Sequence, residues 1–297
     1  MEPHLYRILL ILKRRYEPLS SKLFSYNFID TPIHRLSGLT KLMAFLLLTF
    51  AVMFSYDIRV ILPVMAFSIY VMKLSRIKFS QIKVMVIYVA VFIVTNAIIT
   101  FFFSPEEGVK IYRTRHVIVD IIGPYILTQE QLFYQITKLF KYASVIPLGI
   151  TFLLTTNPSE FASALNGVGV HYKAAYAVSL TLRYFPDIQR EYRNISLSQQ
   201  ARGLDISKKA KFTSRVKNAL LIMIPLVFST LDRIELISNA MDLRGFGKHK
   251  KRSWFSKKKI SPGDVIAIVI SITIFLGTVA VSAFINHGRF YNPFLQG

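Results

Sequence analysis

The sequence predicts an all-α integral membrane protein, with about five transmembrane helices plus three cytoplasmic amphipathic helices. Three observations carry this. First, 53% of the 297 residues are hydrophobic and the mean hydropathy is +0.42, more than a soluble domain of this size can hide from water. Second, the formal net charge is +21, from 37 Lys+Arg against 16 Asp+Glu, and the cations gather between apolar runs. High hydropathy and high basicity coexist readily in a membrane protein whose loops face the cytoplasm and anionic lipid. Third, two long stretches after residue 170 repeat apolar residues at helical spacing but carry too many charges to cross a bilayer.

Residues 1–38 read as a basic cytoplasmic N-terminal arm. The apolar run Ile8–Leu12 is too short for a signal-peptide core, and Lys13-Arg14-Arg15 follows it on the wrong side. Residues 39–154 hold four candidate spans. The first runs from about Leu39 to Tyr56. The turn Asp57-Ile58-Arg59 leads to a second, shorter run from Val60 to Met72 that contains Pro63. The third, Val84–Phe103, has no charge. The fourth, Leu132–Leu154, contains Lys138, Lys141 and Pro147; its lysines are expected to snorkel or to face other helices. The last span, about Val265–Ile285, lies in residues 261–297 with an external tail. Ser261-Pro262-Gly263-Asp264 marks its start with a capping hydroxyl, a proline at the first helical position and an acid in the first turn.

Basic residues set the orientation. Between the fourth and fifth spans there are nineteen basic and seven acidic residues, whereas the 104–130 loop has three basic residues offset by Glu106, Glu107, Asp120 and Glu130. The N-terminus is therefore expected inside, as is 155–260, in a bacterial or archaeal plasma membrane.

Within 155–260, Asn157-Pro158-Ser159-Glu160 has the form of a helix start, and Asn166-Gly167-Val168-Gly169 ends that short helix. From Tyr172, the residues Val178, Leu182, Phe185, Ile188, Tyr192 and Ile195 define one apolar face. The opposite face carries Arg183, Asp187, Arg190, Glu191, Arg193 and Asn194. A second such helix carries Val216, Leu220, Met223, Val227, Leu231, Ile234, Ile237 and Met241. Its apolar centre at 219–228 is too short to span and is expected to lie against the membrane-embedded helices. Both helices end in Arg-Gly, at Ala201-Arg202-Gly203 and at Leu243-Arg244-Gly245. A cation near a helix C-terminus complements the dipole and a glycine caps it. The repetition on two similar helices also suits a guanidinium fork held for docking in an acidic groove.

At these residues the chain resembles the transmembrane T component of energy-coupling-factor (ECF) transporters, the family that includes the cobalt-uptake Q protein. The resemblance covers about Ile33 to Gly247 and is strongest over 151–203 and 229–247. Two Ala-Arg-Gly-like motifs end the family's coupling helices; Ala201-Arg202-Gly203 matches fully, and Leu243 stands in place of the second alanine. Where the family has Asp-Pro-Arg-x-Lys-Leu, this chain has Ser37-Gly38-Leu39-Thr40-Lys41-Leu42. The resemblance implies a non-catalytic scaffold, with no cofactor of its own, of an ABC importer for a vitamin or metal ion. Its partners would be two ABC ATPase subunits, docked at the arginine tips, and a small substrate-binding S component. That component would contact the coupling helices on the face carrying Val178, Leu182, Phe185, Leu220, Met223 and Val227.

The residues themselves argue against catalysis. No phosphate-binding Gly-x-x-x-x-Gly-Lys-Ser/Thr, His-Glu-x-x-His or Gly-x-Ser-x-Gly occurs, the six histidines are scattered without metal-ligand spacing, and cysteine is absent. An autonomous permease would need polar residues clustered in several spans. A membrane-anchored nucleic-acid binder would use the run at 248–259, which reads more simply as a juxtamembrane segment on lipid; no nucleic acid is expected as a partner.

Overall fold

The computed structural model describes residues 30–77, 79–122, 125–204, 212–249 and 253–295. They fall into two compact units, 1–157 with 258–297, and 158–257. Residues 1–29 of the predicted 1–38 arm lie outside the described residues.

The first unit is the apolar one. A short helix α1 (Pro32–Arg35), capped by the Thr31 hydroxyl, precedes α2 (Gly38–Phe54) and α3 (Ile58–Leu74). Then come α4 (Phe79–Phe103), α5 (Glu107–Tyr112), a hairpin of β1 (Val117–Ile122) and β2 (Tyr125–Thr128), and α6 (Gln129–Thr155). The unit closes with a helix after residue 261, called α10 here, Pro262–Ala280, which runs on through a π turn at Val281–Ile285. All five predicted apolar helices are present. Among the described residues, Ile82–Phe103, Gln129–Thr155 and Pro262–Ile285 are long and apolar enough to cross a membrane. At 17 residues each, α2 and α3 sit at the lower limit for a span. Pro63 is accommodated within α3. The hairpin is an addition to the predicted all-α scheme. Its strands pair antiparallel with two irregularities in register.

One end of this unit gathers the starts of α2 and α10 and the ends of α3 and α6. Asp264 does much of the joining. The Ser261 hydroxyl and the Asp264 carboxylate form a reciprocal capping box. The same carboxylate, 1% exposed, accepts the Ser37 backbone N–H at 2.7 Å, so a single side chain caps the entry to two helices. Buried Lys41 reaches the terminal carbonyls of α6 and α1, donating to the Thr155 oxygen at 2.7 Å and the His34 oxygen at 3.2 Å. A carbonyl at a helix end lacks an intrahelical partner, and an ammonium supplies up to three donors.

At the other end Asp57, completely buried, accepts both arms of the Arg59 guanidinium and the Asn286 amide. Burial pushes its carboxyl pKa up, but the hydrogen bonds from Arg59 and Asn286 outweigh this and hold it below the usual value. Arg59 also lies 3.7 Å over the Tyr291 ring. The lysines of α6 face neighbouring helices: Lys138 donates to the Thr100 hydroxyl, and Lys141 donates to the Met53 carbonyl while sitting 3.3 Å over the Tyr56 ring.

The second unit holds three helices, α7 (Pro158–Gly167), α8 (Tyr172–Ala201) and α9 (Phe212–Leu243). Pro158 opens α7 and α8 begins at Tyr172, as the sequence predicts; the His171 side chain caps α8. Trp254 closes the unit by donating to the Asn166 side chain and lying tilted beside the Tyr176 ring, and the Ser256 hydroxyl donates to the Ser159 carbonyl. Trp254 and Ser256 of the 248–259 run thus pack on protein, while Phe255, Lys257 and Lys259 stay exposed; 250–252 lie outside the described residues.

Candidate functional site

The site is built on α8 and α9, which lie antiparallel. Phe246, just past the end of α9, packs on Tyr172 and Tyr176 at the start of α8, with ring centroids 5.7 and 4.8 Å away. Fifteen residues further along α8, Glu191 meets α9 from the other direction. Its carboxylate accepts the Arg233 guanidinium at 2.7 Å and the Ser229 hydroxyl. Glu191, on the polar face read from the sequence, thus pairs with α9. Hydrophobic periodicity finds apolar seams and is blind to a polar one, so the pair escaped the sequence reading. The sequence offers several acids and arginines on the two helices, Asp187 and Glu191 on α8 and Arg215 and Arg233 on α9, and nothing local selects one pair.

The two Arg-Gly ends have one geometry. At the end of α8, the Gly203 N–H bonds to the Gln200 carbonyl and the Leu204 N–H to the Gln199 carbonyl. At the end of α9, Gly245 bonds to Asp242 and Phe246 to Met241 in the same pattern. Both are Schellman motifs, with the glycine at φ +90° and +66°. A Cβ added at either glycine would meet nothing within 4 Å. The glycines are therefore required by left-handed backbone, not by crowding within the chain. Each arginine is the C-cap residue, exposed, on a rigid turn beside the negative end of its helix dipole. Of the other motif residues, Ala201 is exposed and Leu243 is 90% exposed, a large apolar side chain at the very tip.

Arg202 lies eleven residues beyond Glu191, and Arg244 eleven beyond Arg233. At 1.5 Å per residue each arm is about 16 Å long, so the arginines stand about 30 Å apart at opposite ends of the pair. Along α9 the half-buried positions Leu226, Ser229, Arg233 and Ile237 share one side. The predicted contact residues Leu220, Met223 and Val227 turn the other way and are exposed, as are Leu182 and Phe185 on α8; Val178 is half-buried. The apolar face read from the α8 sequence is divided. Ile188 and Ile195 are half-buried, while Leu182, Phe185 and Tyr192 are exposed.

Comparison with known proteins decides the family. The model of the cobalt transport protein family CbiQ matches residues 30–254. The chain belongs to that family. It is 24% identical over 276 residues to the energy-coupling factor transporter transmembrane protein EcfT of Thermotoga maritima, covering 89% of this chain and 92% of that one. It is 23% identical to EcfT of Staphylococcus aureus, covering 83% of this chain and 91% of the relative. An ABC transporter ATP-binding protein of Bifidobacterium longum is 30% identical over 165 residues, 52% of this chain; the match spans only 21% of that longer protein. This CbiQ-family chain is thus a multi-pass plasma-membrane protein, the T component of an ECF transporter.

Proposed function

We propose that this chain is the non-catalytic scaffold that couples two cytoplasmic ABC ATPases to a small substrate-binding S component in vitamin or metal-ion uptake. The observation that carries this reading is the twin arginine tips, built alike and set at opposite ends of one antiparallel helix pair. Two matched cationic tips suit a pair of matched acceptor grooves, which a pair of similar ATPases would present. Leu243, exposed at one tip, adds an apolar contact that a docked partner would cover. The similarity to part of a longer chain named for ATP binding supports proximity of this module to an ATPase. The outward faces bearing Leu182, Phe185, Leu220, Met223 and Val227, with half-buried Val178 at their edge, are assigned to the S component.

The basic ends of α2, α3, α6 and α10 belong to the cytoplasmic side in this reading, in agreement with the charge distribution. Arg202→Ala and Arg244→Ala should each weaken ATPase binding by about 1.5–3 kcal/mol, the worth of a charged hydrogen-bonded contact. Lysine should restore it only in part, because a point charge does not reproduce the guanidinium fork. The test is copurification of the tagged chain from native membranes in mild detergent. Wild type should carry two ATPases and a small hydrophobic protein. Full ATPase recovery with the double arginine variant would refute the docking assignment.

A further inference from the structure

A half-open cavity of about 360 Å³ lies in the first unit, walled by α1, α2, α3, α6 and α10. Its walls are apolar, with Phe45 and Leu48 of α2, Phe67 and Val71 of α3, Phe152 of α6 and Ile266 of α10 facing one slot. It begins beside Thr155 and Gly263, at the basic end of the helices, and reaches Leu148 and Ser271. Seven or eight helical residues correspond to about 10–12 Å. The hydrocarbon of one leaflet is about 15 Å deep, half the ~30 Å core. The slot therefore stops near the bilayer midplane. A partner helix would need an apolar stripe along the whole thickness, whereas one acyl chain needs only this.

The mouth is cationic. Lys41 lines the cavity and its Nζ lies 3.2 Å from the His34 carbonyl oxygen. The Nζ of Lys258 lies 3.1 Å from the same oxygen. Two ammonium groups thus converge where α1 ends, at the mouth of the slot. We propose that this slot binds an anionic phospholipid of the leaflet at the basic end, with one acyl chain between α2, α3, α6 and α10 and the phosphate beside Lys41 and Lys258. The proposal requires only that the chain crosses a membrane, so it can fail while the transporter reading stands, and conversely.

The test uses the full chain in nanodiscs of phosphatidylcholine doped with phosphatidylglycerol that carries a diazirine at the end of one acyl chain, followed by photolysis and peptide mapping. Label should concentrate on peptides bearing Phe45, Phe152 and Ile266. Ala267→Phe, which fills the slot, should lower that labelling at least fivefold while leaving label on the outer surface of α4 unchanged. Lys258→Gln, at a half-buried position away from the slot walls, should cut the preference for phosphatidylglycerol over an equally labelled phosphatidylcholine several-fold. Uniform labelling around the helices, equal labelling by the two lipids in wild type, or cavity labelling untouched by Ala267→Phe would each overturn the proposal. So would loss of the label when inorganic phosphate is added at millimolar concentration, since a seated lipid is held by its chain as well.

Discussion

Cutting the link between Glu191 and Arg233 should loosen α8 from α9 at the midpoint between the two arginine tips. The magnitude is bracketed by exposure. The Arg233 and Glu191 side chains are 35% and 20% exposed, and the guanidinium–carboxylate distance is 2.7 Å. Fully exposed pairs contribute about 0.2–1 kcal/mol, while removing one partner of a fully buried pair costs about 3–5 kcal/mol. A pair of intermediate exposure with a second hydrogen bond from Ser229 should have a coupling energy of about 1–2 kcal/mol. The assay is a double-mutant cycle, Glu191→Ala, Arg233→Ala and both, on thermal unfolding of the purified chain in detergent, repeated for stimulated ATP hydrolysis in the assembled complex. The double variant should be no less stable than the worse single variant. The exchanged pair Glu191→Arg with Arg233→Glu should recover part of the loss. Additivity of the single effects to within about 0.5 kcal/mol would refute the reasoning, because residues that do not interact behave that way.

Gly203→Ala and Gly245→Ala should each cost about 1–2 kcal/mol through left-handed backbone strain without any clash, and asparagine should cost less; helix melting by circular dichroism reads both. Asp264→Ala should destabilise the chain by about 3 kcal/mol in thermal unfolding, since it strips acceptors from the Ser37 and Ser261 N–H groups at two helix starts. Asp57 gives a pH signature: its folded-state pKa is lowered from an ordinary 3.8, so its contribution is full at neutral pH and disappears as pH falls through 3.8 toward the folded value. The melting temperature should drop below about pH 4, and Asp57→Asn should flatten that part of the profile.

Where the sequence carried local rules, the structure followed them. Ser261, Pro262 and Asp264 predicted a helix start because capping depends on neighbours in sequence, and the full capping box is present. The glycines of the two tips were readable for the same reason. Residues whose role depends on a distant partner were not. Lys41 stood in a motif that departs from the family pattern, and its work lies in carbonyls at His34 and Thr155, the latter 114 residues away. Glu191 read only as part of a polar face, whereas its partner is 42 residues on. The hairpin did leave a trace. Val117, Ile118 and Val119 are β-branched, and Gly123-Pro124 is a turn dipeptide, but a two-stranded hairpin this short lies within a stretch that reads as the 104–130 loop between two spans.

Equal arms about a central fixed point make a balanced lever. If α8 and α9 tilt as one rigid body about the level of the Glu191–Arg233 contact, a push delivered at Arg202 returns at Arg244 with the same travel and the opposite sense, and neither end has mechanical advantage. Inserting one helical turn, four residues, between Arg233 and Arg244 would lengthen one arm by about 6 Å and make that end travel farther than its twin for the same tilt. Arm length therefore becomes a constraint on sequence separate from the identity of the residues at the tips.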